Sequence, residues 1–192
     1  MNKTLLILTA VSVLGACSTN STDETDGLSS QIPPSAIVQD YLSVEGLQRA
    51  TVKMGETTTM EGDFLDGLHH GSWTVYNSDG KVTSITTYLR GKKQGVELLF
   101  DNTGYVEQKA YYNQDMLDGE LLVYKRRNIV ERRSYSSGQL SGRQVKYYAD
   151  GTTMEESTYV NGKINGVARW YDAEGNLKIE YNYRMGELLT ED

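Results

Sequence analysis

The stretch GKINGVARWYDAEG, Gly162 to Gly175, packs three glycines and a Trp–Tyr pair into fourteen residues, and its spacing returns along the whole chain. Its second glycine, Gly166, follows Gly71, Gly95, Gly119 and Gly142 at steps of 24, 24, 23 and 24 residues. Four residues before these stand Gly67, Gly91, Asp115, Gly138 and Gly162, and nine residues after them stand Gly80, Gly104, Asn128, Gly151 and Gly175. Five residues after each second glycine is an aromatic: Tyr76, Phe100, Tyr124, Tyr147 or Tyr171. A further row, Tyr88, Tyr112, Tyr135, Tyr159 and Tyr183, stands three residues before the next leading position. Landmarks held at fixed phase over five copies define a tandem repeat.

The two substitutions among the leading and trailing glycines, Asp115 and Asn128, are residue types that tolerate left-handed backbone, so both positions read as turns. Segments of about eight residues rich in Thr, Val, Ile and Tyr lie between them and suit strands. Each unit is then a β-hairpin. The fold class that follows is all-β, an elongated antiparallel β-meander of tandem hairpin repeats, each of about 24 residues, in a single-layer sheet. The alternating faces carry too many charged residues, such as Glu131, Arg133 and Glu155, to lie under a helix layer. The second glycine is expected to make room for a neighbouring aromatic ring over the backbone.

Residues 67–192 hold five copies and an incomplete sixth that starts at Gly186. Residues 41–66 read as a degenerate leading or capping hairpin, with Val52 to Met60 turning around Gly55–Glu56. The run from Ala36 to Leu47 suits a short helix and a strand equally. Near the start, Lys3 precedes an apolar run from Thr4 to Ala16, too short to span a bilayer comfortably as a helix. Residues 1–16 therefore read as a signal peptide. Residues 17–40, rich in Ser, Thr and Asp with Pro33–Pro34, read as a flexible tether.

Leu14-Gly15-Ala16-Cys17 resembles the lipobox of bacterial lipoproteins. That resemblance implies cleavage before Cys17, the chain's one cysteine, and lipidation of its thiol and new amino group. Multiple acyl chains hold a protein on a bilayer durably. Ser18 after the cysteine implies sorting to the outer membrane of a Gram-negative cell envelope.

The repeat unit is similar to the bacterial MORN-repeat variant, best in DGLHHGSWTVYNSDG (Asp66–Gly80) and NGKINGVARWYDAEG (Asn161–Gly175), and the resemblance runs from Phe64 to Leu189. It implies a module for protein–protein contact, membrane tethering or, in some relatives, phospholipid binding. Bacterial proteins of this group include YwqK-like antitoxins. The resemblance supplies no catalytic residue.

The residues themselves point the same way. There is no nucleophile elbow, phosphate-binding glycine loop or Cys/His cluster, and no cofactor or metal is expected. His69 and His70 are adjacent inside a turn; a metal site would need further ligands, and neighbours on a strand would point to opposite faces. A formal charge of -7 argues against nucleic acid as a partner. The candidate partner-binding residues are Trp73, Trp170 and a basic group of Lys125, Arg126, Arg127, Arg132 and Arg133. The expected function is a non-enzymatic, lipid-anchored envelope scaffold that binds another envelope protein. The alternatives are an antitoxin- or immunity-like neutraliser of a toxin, and a peripheral lipid- or glycan-binding module.

Overall fold

The computed structural model describes residues 29–190. Among them every regular element is a strand. The leading part holds β1 (Ala36–Asp40), β2 (Leu47–Met54), β3 (Thr57–Leu65) and β4 (Leu68–Tyr76). The middle holds β5 (Val82–Leu89), β6 (Lys92–Phe100), β7 (Val106–Asn113), β8 (Met116–Lys125) and β9 (Asn128–Ser136). The last part holds β10 (Gln139–Leu140), β11 (Gly142–Tyr147), β12 (Thr153–Val160), β13 (Lys163–Ile164), β14 (Gly166–Tyr171), β15 (Leu177–Arg184) and β16 (Glu187–Leu188). All sixteen lie in one open antiparallel sheet that follows chain order, a meander of consecutive hairpins.

Two kinds of turn alternate. The first is a two-residue connection with positive φ at both positions: Arg90–Gly91 (47° and 85°), Gln114–Asp115 (51° and 69°) and Asn161–Gly162 (49° and 77°) are examples. Such turns carry the right-handed twist of the strands they join, which explains Gly or Asp at the second position. The second is a five-residue loop with a left-handed glycine. In Asn77–Lys81 the Asn77 N–H donates to the Lys81 carbonyl at 2.9 Å and the Gly80 N–H returns to the Asn77 carbonyl at 3.0 Å. The same pair of bonds recurs from Asp101, Tyr148 and Asp172.

The copy that steps by 23 residues departs from this. Asn128 is not a turn residue there: it begins β9 and pairs with Lys125. The lost residue converts the loop into a two-residue turn, and positive φ falls on Arg126 (49°) and Arg127 (74°).

The role expected of the second glycines is also corrected. Gly71, Gly95, Gly119, Gly142 and Gly166 have φ between 66° and 115°, and no aromatic ring is stacked on most of them. They sit at β-bulges. Between β5 and β6 the register jumps from Tyr88↔Lys93 to Thr86↔Glu97, so three residues around Gly95 oppose Thr87 alone. The extra residue is accommodated by left-handed backbone. A ring over a glycine does occur, at Gly62, where an added Cβ would lie 2.3 Å from the Trp73 indole.

Residues 36–40, expected to close the flexible tether, form β1 and pair with β2 from Ala36↔Val52 to Asp40↔Gln48. The reason is a ready edge: β2 presents unpaired backbone groups that a neighbouring extended segment satisfies. Even residue 31 is fixed, since the Gln31 N–H donates to the Gly67 carbonyl at 2.8 Å. The leading hairpin turns at Gly55, with Met54 opposite Thr57.

Directly opposed residues share a face, which assigns both faces of the sheet. The front carries Tyr88, Tyr112, Tyr135, Tyr159 and Tyr183, and beside them a row in which Trp73, Thr86, Glu97, Ala110 and Leu121 oppose one another in turn. The best-packed core sits on this face at the leading end. Ala50, Phe64 and Trp73 are buried, and Ile32, Ala36, Met60 and Tyr88 pack on them. Phe64 is fully covered, which contributes about 2–3 kcal/mol.

Candidate functional site

A second front-face row runs without a break across the sheet. From β3 it reads Met60, Val75, Ser84, Leu99, Gln108 and Val123, each opposite the next. From β9 it changes character to Glu131, Lys146 and Glu155, and then to Trp170 and Ile179. Apolar and neutral residues therefore give way to charge in the third and fourth copies, and to aromatic and aliphatic surface in the fifth.

The charged part surrounds a hollow of about 170 Å³. Arg133 donates to Glu131 through Nε and Nη2, both at 2.8 Å. Lys146 Nζ donates to Glu155 at 2.9 Å. These bonds push the Arg133 and Lys146 side chains above their ordinary values, so both stay charged. Gln144 and Ser157 oppose each other behind them and are buried. The Gln144 amide is used up locally: Oε1 accepts the Ser134 N–H at 3.0 Å, and Nε2 donates to the Ser134 and Gly142 carbonyls. Tyr159 and Leu140 line the remaining side.

Trp170 stands next to this hollow, opposite Glu155. Its ring meets Tyr181 edge-on at 5.9 Å, and Tyr181 meets Tyr183 at 6.5 Å. Around them Ile179 and Leu188 are exposed. The fifth copy thus keeps an aromatic and aliphatic surface in solvent that the first copy buries.

Trp73 is a core residue in this fold. Its side chain lies over Gly62, its Nε1 donates to the Asp63 carbonyl at 2.9 Å, and it is only 4% exposed. The two tryptophans therefore differ in setting, one buried in the core and one half-buried on the front face. The basic group also divides. Arg132 lies on the back face and bonds Glu120 at 2.5 Å, whereas Arg133 lies on the front with Glu131. Adjacent strand residues point apart, so these cations never join the turn cluster. Arg127 stacks on the Tyr105 ring at 4.1 Å and also bonds its hydroxyl. Lys125 and Arg126 remain at the turn, beside Asn128 and Ala149.

The two histidines separate as their spacing requires. His69 opposes Phe64 on the front, and His70 opposes Asp63 on the back. The landmark tyrosines, from Tyr88 to Tyr183, oppose the second glycines, from Gly71 to Gly166. Sequence reasoning passed over Gln144, Ser157, Lys146 and Glu155 as site residues. Their signal was the break in the apolar row at Glu131. Cys17 lies outside the described residues.

No curated protein matches this chain. Among solved structures, a mutant of S. aureus TarM in complex with fondaparinux, alpha-GlcNAc-glycerol and UDP is similar at 10% identity with a TM-score of 0.27. That likeness covers 78% of this chain, which spans about a fifth of the other's length (20%), and the score is too low to indicate a shared fold. The family model that matches is the MORN repeat variant, detected in three segments, residues 70–89, 140–161 and 164–185.

Proposed function

We propose that this protein is a non-enzymatic, lipid-anchored cell-envelope scaffold that binds a protein partner through the front face of its last repeats. The observation that carries this reading is the exposed surface of Ile179, Tyr181 and Leu188 beside Trp170. Aromatic and aliphatic side chains grouped at one place on a charged, polar surface favour protein contact. The repeat type supports it, since such arrays present extended faces whose side chains vary on a constant scaffold. The Cys17 motif supports attachment by acyl chains, with the outer membrane as the expected location.

The test is cross-linked capture of the native lipoprotein from envelopes, with the variant Leu188→Asp alongside. A partner recovered with the native chain and lost with the variant supports the reading. Absence of any reproducible partner removes it. Mass spectrometry of the mature N-terminus tests the anchor separately: an acylated Cys17 is expected, and an unmodified Met1 excludes it.

A further inference from the structure

We infer that the front-face hollow between β9, β11 and β12 binds a neutral saccharide, with one sugar ring seated in the hollow and the adjoining residue over Trp170. The argument begins with charge. The hollow holds two cations and two carboxylates, but Arg133 is paired with Glu131 and Lys146 with Glu155. A charged ligand would have to break one pair and leave its partner uncompensated, which is costly in a partly buried setting. A polyhydroxyl ligand avoids that cost. Each hydroxyl both donates and accepts, so it bonds the free lone pairs of Glu131 and Glu155 and the spare N–H groups of Arg133 and Lys146 with both pairs intact.

Size and surroundings fit the same class. At about 170 Å³ the hollow is below the ~300–1,000 Å³ of sites that enclose a drug-sized ligand. It suits one ring of a longer glycan that continues across the sheet. Ser157 is buried at its floor and lines the hollow, where a hydroxyl can both donate to and accept from a ligand oxygen. Gln144 is committed to backbone and sets the floor's shape rather than touching a ligand. Tyr159 lines the hollow, and Trp170 stands opposite Glu155 at its margin. The C–H face of a sugar is apolar and packs on an aromatic plane, while its rim of hydroxyls needs polar partners. A flat indole beside a dense set of internally neutralised donors and acceptors meets both needs. No earlier copy has the combination: the equivalents of Trp170 are Val75, Leu99, Val123 and Lys146.

The hollow is distinct from the surface proposed for the protein partner, but the two meet at Trp170, so the variants below separate them. The experiment is isothermal titration calorimetry of the full chain in detergent with chitotriose, maltotriose and cellotriose as probes. Saturable binding of at least one is expected. Trp170→Ala and Ser157→Phe should each weaken it by about tenfold or more. The Leu188→Asp variant, which tests the protein partner from the far side of β15, should leave it within about twofold. If Ser157→Phe fails to give the native melting transition, Trp170→Ala decides alone. No saturable heat with any of the three sugars overturns the inference. So does binding that survives both site variants, and so does displacement of the sugar by free glutamate or trilysine, which would mark a site for charge.

Discussion

The Gln31 carboxamide oxygen accepts two hydrogen bonds from one residue, His69: the backbone N–H at 2.9 Å and the ring Nδ1 at 2.8 Å. With Oε1 as acceptor, the His69 ring must carry its proton on Nδ1. The ring is packed against Phe64 at 4.8 Å, Trp73 at 4.4 Å and Tyr88 at 5.0 Å. Gln31 therefore joins the leading segment to the best-packed part of the sheet. Gln31→Ala leaves two donors without their partner and should cost about 1–3 kcal/mol. A lowered melting temperature with faster hydrogen exchange at the His69 amide is the expected result.

The same histidine gives a pH dependence. Burial holds the His69 ring below its ordinary value of 6.5, so the folded state favours the neutral form. The unfolded state then binds more protons, and stability rises with pH through this window. The contribution is complete above the ordinary value and is lost as pH falls towards the folded one. Thermal melts from about pH 7 to about pH 5 should show a declining midpoint. His69→Gln, which keeps a side-chain donor but cannot titrate, should flatten that decline.

At lower pH a back-face carboxylate takes over. Glu156 accepts hydrogen bonds from Arg143 at 2.7 Å and from the Tyr171 hydroxyl at 2.7 Å. Those bonds, Arg143 first, hold its pKa below the ordinary 4.5. A lowered carboxylate value contributes stability above the ordinary pKa, lost as pH falls through the folded one. Glu156→Gln should therefore be less stable than the native chain at neutral pH and approach it in acid. Paired melts at neutral and strongly acidic pH measure the difference.

Glycine substitutions should rank by what surrounds them. Gly62→Ala places a methyl 2.3 Å from the Trp73 ring, so the indole or the strand must move. The cost should be about 3 kcal/mol or more, at the upper end of overpacked cores. Gly104→Ala meets nothing within 4 Å and pays only for its φ of 87°, about 1–2 kcal/mol. Urea midpoints of the two variants give the order directly.

The shortened turn should be improvable. Arg126 adopts a φ of 49° at the first position of a two-residue turn, where Asn is preferred. Arg126→Asn should raise stability by about 0.5–1 kcal/mol. Arg127, which is stacked on Tyr105, is left in place so that the measurement reports the turn alone.

The hairpin period was legible because turn chemistry is local. Pairs such as Arg90–Gly91 and Asn161–Gly162 carry their left-handed geometry in two adjacent residues. The strand at residues 36–40 was one of two open readings, since what decides for it is the edge that β2 offers after folding. Trp73 looked like Trp170 because both follow a second glycine; what buries the first is Gly62, which lies outside the regular repeats. The separation of Arg132 from Arg133 was available from strand alternation. The polar hollow needed the bulge register, because only the pairing of Lys146 with both Glu131 and Glu155 brings the residues together.

Each leading turn also makes one bond to the turn before it. Gly91, Asp115, Gly138, Gly162 and Gly186 donate their N–H to the carbonyls of His69, Lys93, Leu117, Leu140 and Ile164, at 2.8–3.0 Å. Donor and acceptor of this bond both come from backbone at one fixed phase, so it recurs whatever side chains flank it, and side chains only add to it, as where the Asp115 carboxylate accepts the Lys93 N–H at 2.7 Å. A whole copy can then be spliced in or out without designing a new seam. That makes the array a gauge of adjustable length, in which the distance from the leading core to the Trp170 surface can change by whole copies while each end keeps its own chemistry.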